Sequence, residues 1–507
     1  MSTKILSAAI IGIEAEIIEV EADSGGGDFG QISIVGLPDT ATSEARERVK
    51  SALRNAPFEY PKRKITVNLA PANVRKHGPS YDLPIAVSIL ALKHKFLIDF
   101  KKILIVGELS LSGEVRPVSG VLAITLKAKR LGIKNIFIPK DNLAEAKLIS
   151  DLKIFPVESL TQLINHFKNI ILIAPKIKSA PVSIYQKAPA PLINLGSIKG
   201  QGTAKRALEI AAAGSHSILL IGPPGSGKTL LAQALPGILP DLSISEILET
   251  TNIHSIAGTL NGITHLITEP PFRSPHHSAS GIALIGGGAW PRPGEISLAH
   301  RGVLFLDEFP EFSRNAIENL RQPIEAKFVN ICRASGSLRF PSNFLLIAAM
   351  NPCPCGYFGD KQIKCRCSET KISNYHQKIS GPIIDRIDLH LRVPRISFKE
   401  LTNNFPSEDS QIIRSRVIAA RLRQFNRFNG SPYITNSDMD SLATSQFCAL
   451  DDEAANLLKN ACSKLNLSPR SYFRILKIAR TIADLAGSRD VLTVHLAEAL
   501  QYRPQTE

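Results

Sequence analysis

The stretch Ser217-Ile-Leu-Leu-Ile-Gly222-Pro-Pro-Gly-Ser-Gly-Lys228-Thr229 constrains this chain more than any other. A short apolar run reads as a buried parallel strand; it breaks at Gly222, and an apolar helix starts at Thr229. Between them lies G-x-x-x-x-G-K-[ST], carried by Gly222, Gly227, Lys228 and Thr229. The glycines, Gly225 among them, let backbone N–H groups around Ser226 turn toward phosphate oxygens, and the helix N-terminus adds positive dipole. Lys228 can reach the β- and γ-phosphates, and the Thr229 hydroxyl can hold Mg²⁺. A glycine-rich turn that matched by chance would not need a strand before it and a helix after it. These residues imply a nucleoside-triphosphate site.

Later motifs fit around that loop. Gly302-Val-Leu-Phe-Leu-Asp307-Glu308 reads as a second parallel strand that delivers two acids to the phosphates. Asp307 would join the Mg²⁺ shell and Glu308 would polarise the attacking water. A third strand over 344–350 ends in Asn351, an amide suited to orienting water or reading the γ-phosphate; an ordinary turn asparagine is the plain alternative. In Asp385-Arg386-Ile-Asp388 the arginine is either catalytic or a tie for a helix end, and the residues alone leave both open. Helical patterns follow over 406–428, 454–465, 470–485 and 494–499. Ser468-Pro469-Arg470 opens the third of these, so Arg470 can face the phosphates, with Arg474 the competing choice.

At 507 residues the chain has room for about three domains. Its formal net charge of +15 points to an acidic partner, nucleic acid first and an anionic membrane surface second. No apolar run approaches the length of a membrane span, and the N-terminal segment lacks a cleavage pattern, so a cytoplasmic protein with no membrane partner is expected. The seven cysteines are then reduced thiols or metal ligands. Cys353, Cys355, Cys365 and Cys367 form two C-x-C pairs that can close a tetrahedral Zn²⁺ site, structural in role, stiffening the loop beside Asn351. Four reduced loop thiols are the alternative. Cys332, Cys448 and Cys462 read as core thiols.

Residues 1–175 read as one α/β domain, with strands over 16–22, 31–35, 65–69, 103–106 and 136–139 and helices over 40–56, 83–93 and 121–130. Gly78-Pro79-Ser80, followed by the Gly-Glu segment at 107–120, resembles the proteolytic domain of Lon, an S5-like fold. In that family the serine is the nucleophile and a lysine just beyond the Gly-Glu segment activates it. Here Leu122 stands at that place, while Lys127 and Lys129 are out of register. The expectation is a Lon-like domain without proteolysis. Residues 176–195, rich in Pro, Lys and Ala, read as an extended linker.

Taken together, the phosphate loop, Leu-Asp-Glu-Phe, Ala-Met-Asn-Pro-Cys-Pro-Cys-Gly and Asp-Arg-Ile-Asp resemble the magnesium-chelatase-like branch of AAA+ ATPases. With the Lon-like region in front, the whole chain resembles the ComM/YifB family. The resemblance implies ATP and Mg²⁺ as cofactors, an AAA+ core over 196–400 and a helical lid over 401–507. It implies Asn351 as sensor 1, Arg470 as sensor 2 and Arg386 as an arginine finger given to a neighbouring subunit, hence a homohexamer. A hairpin over 326–341 would face the pore, with Lys327, Arg333 and Arg339 on DNA phosphates; a solvated basic hairpin is the alternative. The His276-His277 pair reads as part of a structural or DNA-facing loop, adjacent residues on a Pro-bounded turn; metal ligands are the alternative. The implied function is an ATP-driven helicase that moves on single-stranded and branched DNA and promotes branch migration in homologous recombination during natural transformation. A chelatase-like motor remodelling a partner protein is the alternative. An ATP-dependent Lon-like protease comes third, opposed by the missing lysine.

Overall fold

The apolar start of the chain forms a strand, β1 (Thr3–Ile11), that turns at Gly12 and pairs antiparallel with β2 (Glu14–Ser24). Gly12 sits at φ +63°, a left-handed conformation that a glycine adopts without a Cβ clash. The computed structural model describes residues 2–504 apart from 26–30, 37–39, 75, 178–192, 261–265, 289–290, 334–335, 361, 397–407 and 466. Most of the expected linker, and the expected border near residue 400, therefore lie outside the described residues.

Five more strands complete the first sheet: β3 (Ile32–Val35), β4 (Ile65–Ala70), β5 (Ile103–Ile105), β6 (Asn135–Pro139) and β7 (Lys153–Val157). Their order is β3-β4-β2-β1-β5-β6-β7. β1 and β7 were not among the expected strands. Both are short apolar runs without clean alternation, where period alone does not separate strand from helix. Helix α1 (Thr40–Asn55) packs beside α2 (Asp82–Ala91), which is buried from Asp82 through Leu90. A buried carboxylate needs a partner, and Arg48 on α1 supplies two bonds to Asp82, at 2.7 and 3.1 Å. Burial still pushes the Asp82 carboxyl up to about 6 against that pull.

The Lon-like expectation gains a physical reason here. Leu122, on α3 (Val121–Arg130), is fully buried in an apolar cluster with Val106, Ile136 and Ile154. Lys127 is engaged with Glu16 and Lys129 with Asp151. The position where the resemblance puts the activating amine is hydrocarbon.

The second sheet is parallel throughout. β8 (Ile218–Ile221) is flanked by β13 (Leu345–Met350) and β14 (Leu389–Arg392), and beyond β13 lie β10 (Val303–Leu306) and the short β9 (Phe272–Arg273). The apolar runs of β10 and β13 are buried along their whole length, as strands covered on both faces must be. Parallel pairing brings the C-terminal ends of β8, β10 and β13 to one edge, where ligands of open α/β sheets bind. A separate antiparallel hairpin, β11 (Phe328–Arg333) with β12 (Gly336–Pro341), projects between β10 and β13 in the chain order.

Helices dominate from Ser410 on: α6 (Ser410–Arg427), α7 (Asp452–Leu465), α8 (Pro469–Ala486) and α9 (Thr493–Gln501). Here α4 is Gly202–Gly214, in front of β8, and α5 is Ile244–Ala257. His216 joins sheet and helices, its two ring nitrogens 3.1 Å from Asp388 and 2.8 Å from Thr481. Within the helices Asp484 is fully buried and takes hydrogen bonds from Arg427, Arg480 and Asn436, so its charge is balanced in place. The first sheet leans on α5: Asn252 donates to the Ile13 carbonyl at 2.9 Å, and Ser255 links Gly120 N–H to the Glu145 carboxyl. Among the described residues no helix is long and apolar enough to cross a membrane.

Candidate active site

The phosphate loop leaves β8 at Gly222, where an added Cβ would lie 2.2 Å from the Val393 carbonyl oxygen. Gly225 and Gly227 adopt φ of +75° and +88°. These positions require glycine for space or for conformation, which is why the motif spacing is strict. Lys228 is buried, and its ammonium donates to the Gly222 and Pro223 carbonyls at 2.6 and 3.0 Å and to the Asn351 side chain at 3.3 Å. Burial lowers the lysine pKa, opposed by the nearby Asp307 charge. Ser226 is fully buried with a hydroxyl that lacks a partner among the described residues. An orphaned hydroxyl beside a cation and inward-turned amides fits an anionic oxygen-rich ligand such as a triphosphate.

The metal-side residues converge as well. Thr229 Oγ1 donates to Asp307 Oδ2 at 2.9 Å, so hydroxyl and carboxylate share the place an octahedral Mg²⁺ would take. Asp307 also accepts from the Glu308 amide at 2.9 Å. Glu308 itself sits at φ +51°, a strained conformation for glutamate that turns its half-exposed carboxylate out of the strand line. His277 Nδ1 lies 3.0 Å from that carboxylate, and the His276 ring lies tilted beside His277 with centroids 4.1 Å apart. The loop expected to be structural or DNA-facing thus reaches Glu308. Nothing in the local pattern signals this, because the two side chains come from loops after different strands.

Two arginines form a second group. Arg386 donates to the Pro382 carbonyl at 2.7 Å and to Glu325 at 2.9 Å, and Arg470 pairs with the other oxygen of the same glutamate. Among the described residues neither arginine has a hydrogen bond or ion pair to Lys228, Thr229, Asp307 or Glu308. Arg470, expected to face the nucleotide phosphates across the cleft, stands beside Arg386 on Glu325. The competing Arg474 is buried and donates to the Ile387 and Asp385 carbonyls, which ties down the turn carrying Arg386.

In the hairpin Lys327 is half-buried at φ +60°, and the Arg339 guanidinium lies 3.5 Å over the Phe328 ring. The backbone of Arg333 pairs with Gly336, while its side chain lies outside the described residues. Cys332 faces solvent on this hairpin and is not a core thiol; Cys448 is buried and Cys462 half-buried.

The four loop cysteines do come together. Their sulfurs all lie within 4.8 Å of one another, with Cys353 at 3.4 Å from Cys355 and 3.7 Å from Cys365, and Cys355 at 3.5 Å from Cys365. Four thiolates around one Zn²⁺ at about 2.3 Å would be about 3.8 Å apart, so the cluster has nearly that size already. The Arg366 backbone amide pulls the Cys355 thiol down to about 6. The Cys367 amide acts on Cys365 in the same sense, but burial and the Cys355 and Cys353 sulfurs push that thiol up to about 12. Thiols this crowded ionise together only around a shared cation.

Comparison with known proteins agrees along the full length. Residues 194–401 match the family described as magnesium chelatase, subunit ChlI; residues 18–142 match subunit ChlI of Mg-chelatase, and 407–503 its C-terminal region. The chain is 42% identical over 505 residues to the competence protein ComM of Haemophilus influenzae, covering 98% of this chain and 97% of that one. It is 42% identical over 498 residues to the Escherichia coli protein YifB, covering 98% and 96%. It is 30% identical over 173 residues to a Lon protease of Methanosarcina barkeri, covering 32% of this chain and 21% of that one. A magnesium-chelatase-like AAA+ chain implies ATP and Mg²⁺ as its cofactors, and this chain belongs to the ComM/YifB family of that branch.

Proposed function

We propose that the protein is an ATP-hydrolysing, hexameric DNA helicase that drives branch migration of recombination intermediates during natural transformation. The observation that carries the reading is the split of the site into two groups. Lys228, Thr229, Asp307, Glu308 and Asn351 can bind and hydrolyse ATP–Mg²⁺ but have no arginine among them. Arg386 and Arg470 stand apart on Glu325. An arginine at the transition-state charge is worth about three to five orders of magnitude in rate, so the phosphate-loop group needs one supplied by a neighbouring subunit. A closed ring, in which each subunit gives its arginine to the next, meets that need.

In this reading Lys228 and the loop amides hold the phosphates, Thr229 and Asp307 hold Mg²⁺, Glu308 orients water and Asn351 reads the γ-phosphate. Residues 1–175 form a non-proteolytic Lon-like domain, 196–400 the core and 401–507 the lid, and the four loop cysteines hold Zn²⁺. The net charge of +15, the competence name of the Haemophilus relative and the hairpin bearing Lys327, Arg333 and Arg339 favour single-stranded and branched DNA as the substrate on which the ring moves. The test is ATPase rate with and without single-stranded and forked DNA, followed by unwinding of a labelled four-way junction. DNA stimulation and junction unwinding are expected, both lost in Glu308→Gln. Absence of both at low salt, with ATPase intact, would leave a motor that acts on protein.

A further inference from the structure

The loop from Asn351 to Cys367 touches the phosphate loop at two points. Asn351 accepts from Lys228, and Gly356 lies on the Pro224 ring so closely that an added Cβ would be 2.6 Å from Pro224 Cδ. Cys353 and Cys355 stand between those two points; Cys365 and Cys367 come from the far end of the same loop. Between the two loops opens a cavity of about 680 Å³, lined by Gly222, Pro223, Phe358, Asp360 and Arg395 among others. Gly222 is held on one side by the Val393 carbonyl, and across the cavity the phosphate loop faces Phe358 and Asp360 of the cysteine loop.

That loop has little of its own to hold it. Among its described residues there is no helix or strand, and Cys353 and Gly356 are the buried ones. Ordering a residue costs about 1–2 kcal/mol of backbone entropy, which so little burial does not offset. Among the described residues its ties to the rest of the chain include Asp360 with Arg395 at 3.1 Å, the Arg395 guanidinium 5.3 Å over the Tyr357 ring, and the Pro352 carbonyl with His376 at 2.8 Å. The convergence of four sulfurs supplies the missing cross-link, provided a cation joins them.

We propose that a thiolate-bound divalent cation of the zinc class at Cys353, Cys355, Cys365 and Cys367 clamps the phosphate loop through Gly356 and Asn351, so that nucleotide affinity depends on its occupancy. This inference rests on the reading of Gly222–Thr229 as the ATP loop. It makes metal loss a route by which the motor would be switched off without touching Asp307 or Glu308.

The test uses the full chain. Zinc is quantified in protein purified without chelator, then displaced with an organomercurial, removed by gel filtration and restored with Zn²⁺ after thiol treatment. Each form is titrated with a fluorescent ATP analogue, and a Co²⁺-substituted sample is examined for the strong visible absorption of a tetrahedral tetrathiolate. The expected result is one metal per chain, the Co²⁺ signature, and ATP affinity at least tenfold weaker when stripped and restored by Zn²⁺. Gly356→Ala alters the contact itself, its added Cβ meeting Pro224 Cδ at 2.6 Å at a φ of +84°, so its zinc content is measured alongside: it should keep one zinc yet bind ATP severalfold more weakly. Protein that carries no metal overturns the site. Equal ATP affinity with and without metal, in protein that binds ATP, overturns the clamp alone. Zinc-loaded protein that binds no ATP overturns the nucleotide reading and the clamp with it.

Discussion

His277 Nδ1 stands 3.0 Å from a carboxylate oxygen of Glu308, the acid that the proposed mechanism uses on water. The segment bearing His277 continues through a short helix, Gly281–Ile285, to Gly286, which packs against Ile331 of the hairpin, so the hairpin and Glu308 are linked through one segment. His277→Ala is expected to lower kcat for ATP by about tenfold, the size of an orientation effect, with KM unchanged. His277→Gln, which keeps a donor, should recover most of it. Steady-state kinetics on the three proteins decides the matter.

Arg386 and Arg470 share Glu325, at the end of the helix Arg321–Ala326 that leads into the hairpin. If both act on a neighbour's nucleotide, Arg386→Ala and Lys228→Ala should each abolish hydrolysis alone, with losses of about 10³-fold or more for the arginine. Mixed in one ring, they should regain activity, since a Lys228→Ala subunit still offers its arginines to the intact loop of an Arg386→Ala subunit. Recovery on mixing, followed as phosphate release, is the readout; none across all ratios means Arg386 serves its own loop.

Leu122 is fully buried at the place where a Lon-type protease would carry its lysine. Leu122→Lys should therefore cost about 3–5 kcal/mol, the range for an uncompensated buried charge, and should create no protease. Limited proteolysis should show the first 175 residues loosened, and casein should stay intact. Ser80→Ala should leave DNA-dependent ATPase as in the parent.

His390 lies in β14, buried, with Nε2 on the Ile387 carbonyl at 3.0 Å. Burial first, and then the Arg474 guanidinium, push its pKa down to about 4 from the usual 6.5. A histidine with a depressed folded pKa contributes stability that is whole above 6.5 and is lost as pH falls from 6.5 toward 4. The full loss is about 3 kcal/mol. His390→Gln should flatten that part of the profile, measured as the denaturant midpoint of the second sheet's unfolding between pH 7 and pH 4.5.

Much of this architecture is readable from local pattern. The apolar runs at 218–221, 303–306 and 345–350 are too continuous to be half-exposed, and they end in Gly222, Asp307 and Asn351, so a parallel sheet with its ligand edge follows. The spacing of the phosphate loop reflects glycine geometry within a few residues. The long amphipathic helices from 410 onward show their period.

Other features depend on where distant segments meet. β1 and β7 are apolar runs and β14 is the short Leu-His-Leu-Arg, and the strand identity of each comes from its neighbours in the sheet. His277 reaches Glu308, Glu325 gathers Arg386 and Arg470, and Gly356 rests on Pro224 because parallel strands bring separate loops to one edge. A histidine, a glutamate and a glycine are too common to announce such roles by type. The residues within reach of ATP chemistry can be named from the chain because backbone geometry is local; which of them touch is settled by packing, which is not.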